Sequence, residues 1–149
     1  MKKLVYLISP NKIHNNFYDD LKKVLSAKNV KFFQLRLKKV KKNKIIKIAK
    51  EIKKITRKYK VKLIINDHPN ISKITNADGC HLGQNDGLVI NAKKHLKKKI
   101  IGITCHNSKK LALDGKKIGV NYIAFGAFFK SLTKKTTYKA NLALLRWAR

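Results

Sequence analysis

The chain has only seven acidic residues among 149, and two of them close consecutive strand-like runs. VKLIIND ends in Asn66-Asp67 and GCHLGQND ends in Asp86. If these runs are parallel strands, both carboxylates fall at the carboxyl ends, where such sheets bind their ligands. Other polar groups fall at the same end. QLRLK supplies Gln34, Arg36 and Lys38; the second run adds Gln84; IIGITCH supplies Thr104 and His106; and SLTKK supplies Ser131, Thr133 and Lys134. Two carboxylates among cations and hydroxyls suit Mg²⁺ with phosphate, because Mg²⁺ takes one or two carboxylates, phosphate oxygens and retained water. The cations would neutralise the remaining phosphate charge. The residues alone therefore point to a Mg²⁺-dependent enzyme acting on a phosphorylated or diphosphorylated small molecule.

Plainer roles compete for each element. Asn66-Asp67 ahead of His68-Pro69 also reads as a turn and helix cap. Asp78 precedes its strand, away from the ligand end, and is assigned to a turn. Arg36 within a strand could be a structural ion pair, but acids are scarce and an interior cation without a ligand is costly. Cys80-His81 and Cys105-His106 offer the ligand set of a structural zinc. Adjacent strand residues point to opposite faces, which works against convergence. His106 at a strand end remains a candidate acid or base. Cys105 has no base positioned for it by sequence, so it reads as a buried hydrophobe, as Cys80 does.

The elements that must position these groups alternate strictly. Strand-like runs at residues 3–8, 30–38, 61–66, 79–83, 99–104 and 120–126 are each followed by a helical segment, at 14–28, 43–58, a short turn opened by Pro69, 88–97, 107–118 and 141–148. The second helix places Ile45, Ala49 and Ile52 on one face and Lys on the other. Strict β/α alternation implies an α/β fold of parallel strands with helical crossovers, one domain spanning residues 1–149. Six units would fill an open doubly wound sheet and fall two short of a (β/α)8 barrel.

Composition narrows the partners. The formal net charge is +30, nearly all from Lys and spread along the whole chain. Nucleic-acid readers concentrate Arg, Asn or Gln on a recognition element or expose aromatic platforms, and neither arrangement is visible. The expectation is no specific nucleic acid, and a field that draws in anionic small substrates. No apolar stretch approaches the ~20 residues that span a bilayer, so no membrane partner is expected. MKKLVYLISP stops at Ser9-Pro10 without a small-residue cleavage site, so it reads as a first strand and the protein as cytoplasmic.

Taken in order, QLRLK at 34–38, IIND at 64–67, ADGCHLGQND at 77–86, IIGITCHNS at 100–108, YIAFGAFF at 122–129 and SLTKK at 131–135 resemble thiamine phosphate synthase. The resemblance implies a TIM (β/α)8 barrel that joins hydroxymethylpyrimidine diphosphate to thiazole phosphate and releases pyrophosphate. It implies that Gln34, Arg36, Lys38 and Asn66 hold the pyrimidine diphosphate, with Thr104 in place of a usual Ser, and that Asp67 and Asp86 bind Mg²⁺. Ser131, Thr133 and Lys134 match the residues that contact the thiazole phosphate, with Ser131 in place of Thr and Lys130 where Pro is common. No protein nucleophile is required. The family pattern continues for two β/α units past Arg149, so the expectation is a barrel incomplete at its carboxyl terminus, completed by a further segment, an oligomer or another chain. Two alternatives share the fold: a thiazole tautomerase-type isomerase using His106, and an inactive domain that keeps ligand binding without turnover.

Overall fold

One phase of the strands is apolar and suits a helical layer while the other admits polar and aromatic residues, and the helices carry apolar stripes that can cover only one side of a sheet. The computed structural model describes residues 4–84, 86–129 and 137–148, the side chains of residues 86 and 87 excepted. The elements run β1 (Val5–Ile8), α1 (Phe17–Ser26), β2 (Val30–Leu35), α2 (Lys42–Lys58), β3 (Lys62–Asn66), α3 (Pro69–Ile74), β4 (Gly79–Leu82), α4 (Asp86–Leu96), β5 (Ile100–His106), α5 (Lys109–Ile118), β6 (Tyr122–Phe125) and α6 (Leu142–Trp147). The described strands form one sheet in the order β1-β2-β3-β4-β5-β6, every pairing parallel. It curls into a half-barrel, far enough that the hydroxyls of Tyr6 on β1 and Tyr122 on β6 meet at 2.6 Å.

The helix-facing side of the sheet is apolar. Phe33, Leu35, Leu63 and Ile65 pack with Leu21 and Leu25 of α1 and with Ile45, Ala49 and Ile52 of α2. Cys80, Leu82, Ile101, Ile103 and Cys105 pack with Val89, Ala92 and Leu96 of α4 and Ala112 of α5. Fully burying each large aliphatic side chain contributes about 1.5–3 kcal/mol. Local signals set the helix ends: Pro69 opens α3, the Ser108 hydroxyl accepts from the Leu111 N–H at 3.2 Å, and Gly119 closes α5 in the left-handed region at φ 78°. No helix among the described residues is long and apolar enough to cross a membrane.

Among the boundaries that depart from expectation, two bear on the candidate site. β2 stops at Leu35, three residues short of Lys38, because β1 has ended and the Ser9 hydroxyl takes the Arg36 N–H at 3.0 Å. α4 starts at Asp86, two residues earlier than expected, which puts a carboxylate-bearing residue in its first turn, where the helix dipole favours it.

At the amino ends of the strands, Asp78 joins three elements. Its carboxylate accepts from Lys53 Nζ at 2.6 Å and from the Leu63 N–H at 2.8 Å, and Lys62 Nζ lies 3.6 Å away. Burial works to raise its pKa, but Lys53, the Leu63 N–H and the field of Lys62 outweigh that and hold it below the ordinary carboxylate value. A folded-state pKa below the unfolded one stabilises the fold above the unfolded pKa of about 3.9, and that contribution is lost as pH falls through the folded value. Asp78→Asn is expected to lower stability at neutral pH by roughly 1–3 kcal/mol, with the gap to the parent closing in strong acid. Urea titrations across that pH range measure it, and a constant gap would dissociate Asp78 from acid lability.

Candidate active site

The other side of the sheet, facing away from the helices, carries the opposite strand phase, polar and aromatic side chains among them. Pairing places Asn66, His81, Gly102 and Tyr122 on one rung across β3 to β6. A Cβ on Gly102 would stand 1.9 Å from Cζ of Tyr122, so glycine is what lets that ring lie across the sheet. The ring stacks on His81 with centroids 5.6 Å apart and meets Tyr6 at 5.6 Å.

A continuous hydrogen-bonded chain crosses this concave face. Gln34 Nε2 donates to Tyr6 Oη at 2.9 Å, and Tyr6 Oη contacts Tyr122 Oη. Tyr122 Oη lies 3.0 Å from His81 Nδ1, and His81 Nε2 lies 2.9 Å from Thr104 Oγ1. Gln34 and His81 are buried, while Thr104 is half-buried at the carboxyl end of β5. Burial pushes both tyrosine hydroxyls above their ordinary pKa, so they stay protonated and available to donate.

At the rim, Asp67 follows the last residue of β3 in the left-handed region at φ 61°, and its N–H donates to the His81 carbonyl at 2.8 Å. Lys38 Nζ donates to Asp67 Oδ2, with both side chains partly open to solvent. Arg36 Nη1 donates to the neutral Asn11 Oδ1 at 3.3 Å, and no described carboxylate lies within ion-pair range of it. Gln84, just past β4, keeps a buried Nε2 with no protein partner, a donor at the ligand end. His106 ends β5 with its ring stacked on Tyr138 at 4.2 Å. Burial raises the Cys80 thiol to about 12 and the Cys105 thiol to about 11, far from a reactive thiolate.

Several expected site residues thus converge on one end of one sheet. Asn66, Asp67 and Thr104 lie at strand ends, and Lys38 reaches Asp67 from the loop after β2. Strand alternation brings Gln34 to the concave face, but the loop beyond Leu35, with Lys39 at φ 58°, places Arg36 and Lys38. Ser131, Thr133 and Lys134 lie outside the described residues, as does the Asp86 side chain. Among the described residues no three His, Cys, Asp or Glu side chains converge on a metal position. Cys80 packs among the helices whereas the His81 ring lies on the concave face, so β4 does separate the pair. Sequence reasoning missed Tyr6, His81 and Tyr122 as a unit. Their signal was positional: each occupies the inward phase of its strand.

The fold and its side chains define a β/α half-barrel, polar at the carboxyl ends of its parallel strands. A family model described as thiamine monophosphate synthase matches residues 5–149. The thiamine-phosphate synthase of Pelagibacter ubique is 58% identical over 147 residues, covering 97% of this chain and 70% of that protein. That of Erythrobacter litoralis is 36% identical over 148 residues, again covering 70% of its length. The chain belongs to the thiamine monophosphate synthase family, transferases of thiamine biosynthesis. The fold is also similar to a thiamine phosphate pyrophosphorylase from Pyrococcus furiosus, with a TM-score of 0.76 at 24% identity. The match covers 89% of this chain and 64% of that one, so the chain spans a little under two thirds of its length.

Gly102→Ala forces the Tyr122 ring out of its place. It is expected to cost about 1–3 kcal/mol in chemical denaturation, as overpacking of a tight site does. An unchanged denaturation midpoint would mean that the ring finds an equally good position.

Proposed function

We propose that the protein joins a hydroxymethylpyrimidine diphosphate to a thiazole phosphate, giving thiamine phosphate and pyrophosphate. What carries this reading is family membership together with a strand-end rim where Lys38 meets Asp67 and Arg36 meets no described carboxylate. Arg36 and Lys38 would neutralise the diphosphate, and Gln34 and Asn66 would orient the pyrimidine. Ser131, Thr133 and Lys134 would hold the thiazole phosphate.

In the reaction, the bond between the pyrimidine methylene carbon and the diphosphate oxygen breaks, and pyrophosphate leaves with the electron pair. The aminopyrimidine ring supports the resulting methylene cation. The thiazole nitrogen lone pair then forms the new C–N bond. No protein nucleophile takes part. This chain's residues bind, orient and stabilise the charge that develops on the leaving group.

Mg²⁺ is the proposed metal. Asp67 offers hard carboxylate oxygens, partly solvent-exposed, and already faces a cation in Lys38. Asp86, at the start of α4, follows the neighbouring strand at the same end. Two carboxylates suit an ion that also takes substrate oxygens and water, and when bound it would supply further charge stabilisation to departing pyrophosphate. An isomerase would need no diphosphate-neutralising rim, so the synthase reading is preferred. We also place the protein in the cytoplasm, where phosphorylated biosynthetic intermediates are handled.

Pyrophosphate release with both substrates and Mg²⁺ tests the reading. Asp67→Ala and Asp86→Ala are each expected to lower turnover by about 100-fold or more, the scale of losing a preorganised charge-stabilising group. Turnover indifferent to both substitutions would remove the metal assignment. Binding of the diphosphate without release would make the protein a ligand-binding domain.

A further inference from the structure

The chain from Gln34 to Thr104 ends on a residue of the proposed diphosphate site, and one direction along it gives each internal proton an acceptor. The Gln34 amide donates through Nε2, so Tyr6 Oη is an acceptor there. If Tyr122 also donated to it, the half-buried Tyr6 proton would have no described acceptor, so the satisfied order has Tyr6 donate to Tyr122 Oη. Having accepted from Tyr6, Tyr122 turns its proton to His81 Nδ1. A neutral imidazole that accepts at Nδ1 carries its proton on Nε2, and that N–H donates to Thr104 Oγ1. Thr104 then accepts from inside the protein, and its hydroxyl proton is left to point outward as a donor. An outward donor is what a phosphate oxygen requires.

We propose that Tyr122 is a positioning residue that, through the Nε2–H tautomer of His81, orients the Thr104 hydroxyl as a donor to the substrate diphosphate. Tyr122 itself does not touch the substrate. The ring is held for this purpose by the missing Cβ of Gly102 and by stacking on His81. This inference rests on the proposed function for the identity of the ligand, but not for the tautomer.

Nitrogen-15 NMR of histidine-labelled protein, at a pH where the imidazole is neutral, reads the tautomer without any turnover. The parent is expected to show His81 with Nδ1 unprotonated and Nε2 protonated, and Tyr122→Phe is expected to lose that bias. Steady-state kinetics then read the consequence. Tyr122→Phe should raise KM for the diphosphate substrate about tenfold, the scale of one hydrogen bond to a charged group, and leave KM for the thiazole phosphate unchanged. Thr104→Val should do at least as much, Thr104→Ser should restore donation, and Tyr122→Phe added to Thr104→Val should cost nothing further. An Nδ1–H tautomer in the parent, an unaltered tautomer in Tyr122→Phe, or additive effects of the two substitutions would each overturn the proposal. If the parent releases no pyrophosphate at all, the proposed function fails instead, and the NMR result still decides whether the relay runs in this direction.

Discussion

Side chains in a β-strand alternate between faces, and in a curled parallel sheet the two faces meet different worlds. One meets helices and must be apolar along its whole length. The other is narrow, concave and shared by all the strands, so it can hold groups that touch one another across the sheet. The Tyr6–Tyr122 contact, between residues 116 apart in sequence, shows how tightly that curvature gathers distant positions. The placements of Gln34, Asn66, His81, Thr104 and Tyr122 descend from that division. Ile65 and Cys80 lie in buried helix-facing layers, while their immediate neighbours Asn66 and His81 pair on the other face.

The two ends of the sheet use similar charges for different purposes. At the amino end, Asp78 is held by two lysines and a backbone N–H, and its side chain is 19% exposed. Its oxygens are committed to protein donors, which suits a structural tie between α2, β3 and β4. At the carboxyl end Asp67 has one lysine partner and a side chain 39% exposed, on a backbone turned into the left-handed region. That carboxylate retains capacity for a further cation, and Lys38 retains donors for an anion. Burial and the number of protein donors, rather than residue type, distinguish the structural acid from the one proposed to bind metal. A formal net charge of +30 adds a field that favours anions in general without making any one site specific.

Much of this was legible in advance because it depends on local pattern. The β/α alternation, the apolar stripe of α2 and the placing of Asp67 and Asp78 at opposite strand ends all follow from spacing along the chain. QLRLK, expected within one strand over residues 30–38, divides between two environments. Gln34 points into the concave network, whereas Arg36 and Lys38 lie past the strand end because Ser9, from β1's end, captures the Arg36 N–H. No local pattern in residues 34–38 records where β1 stops. His81 was considered only as a partner of Cys80, since the residue that defines its chemistry, Tyr122, is 41 positions away.

The sequence by itself determined the succession of parallel strands and helices, the end of the sheet that carries rare carboxylates among cations, and the motifs that resemble the synthase family. It could do so because hydrophobic period, turn residues and strand phase are properties of neighbours in the chain. Only the tertiary structure decided which inward-facing residues touch. Sheet curvature, and the space left by the missing Cβ of Gly102, bring Tyr6, Gln34, His81, Thr104 and Tyr122 within hydrogen-bond reach, and such distances arise from the packing of the whole sheet.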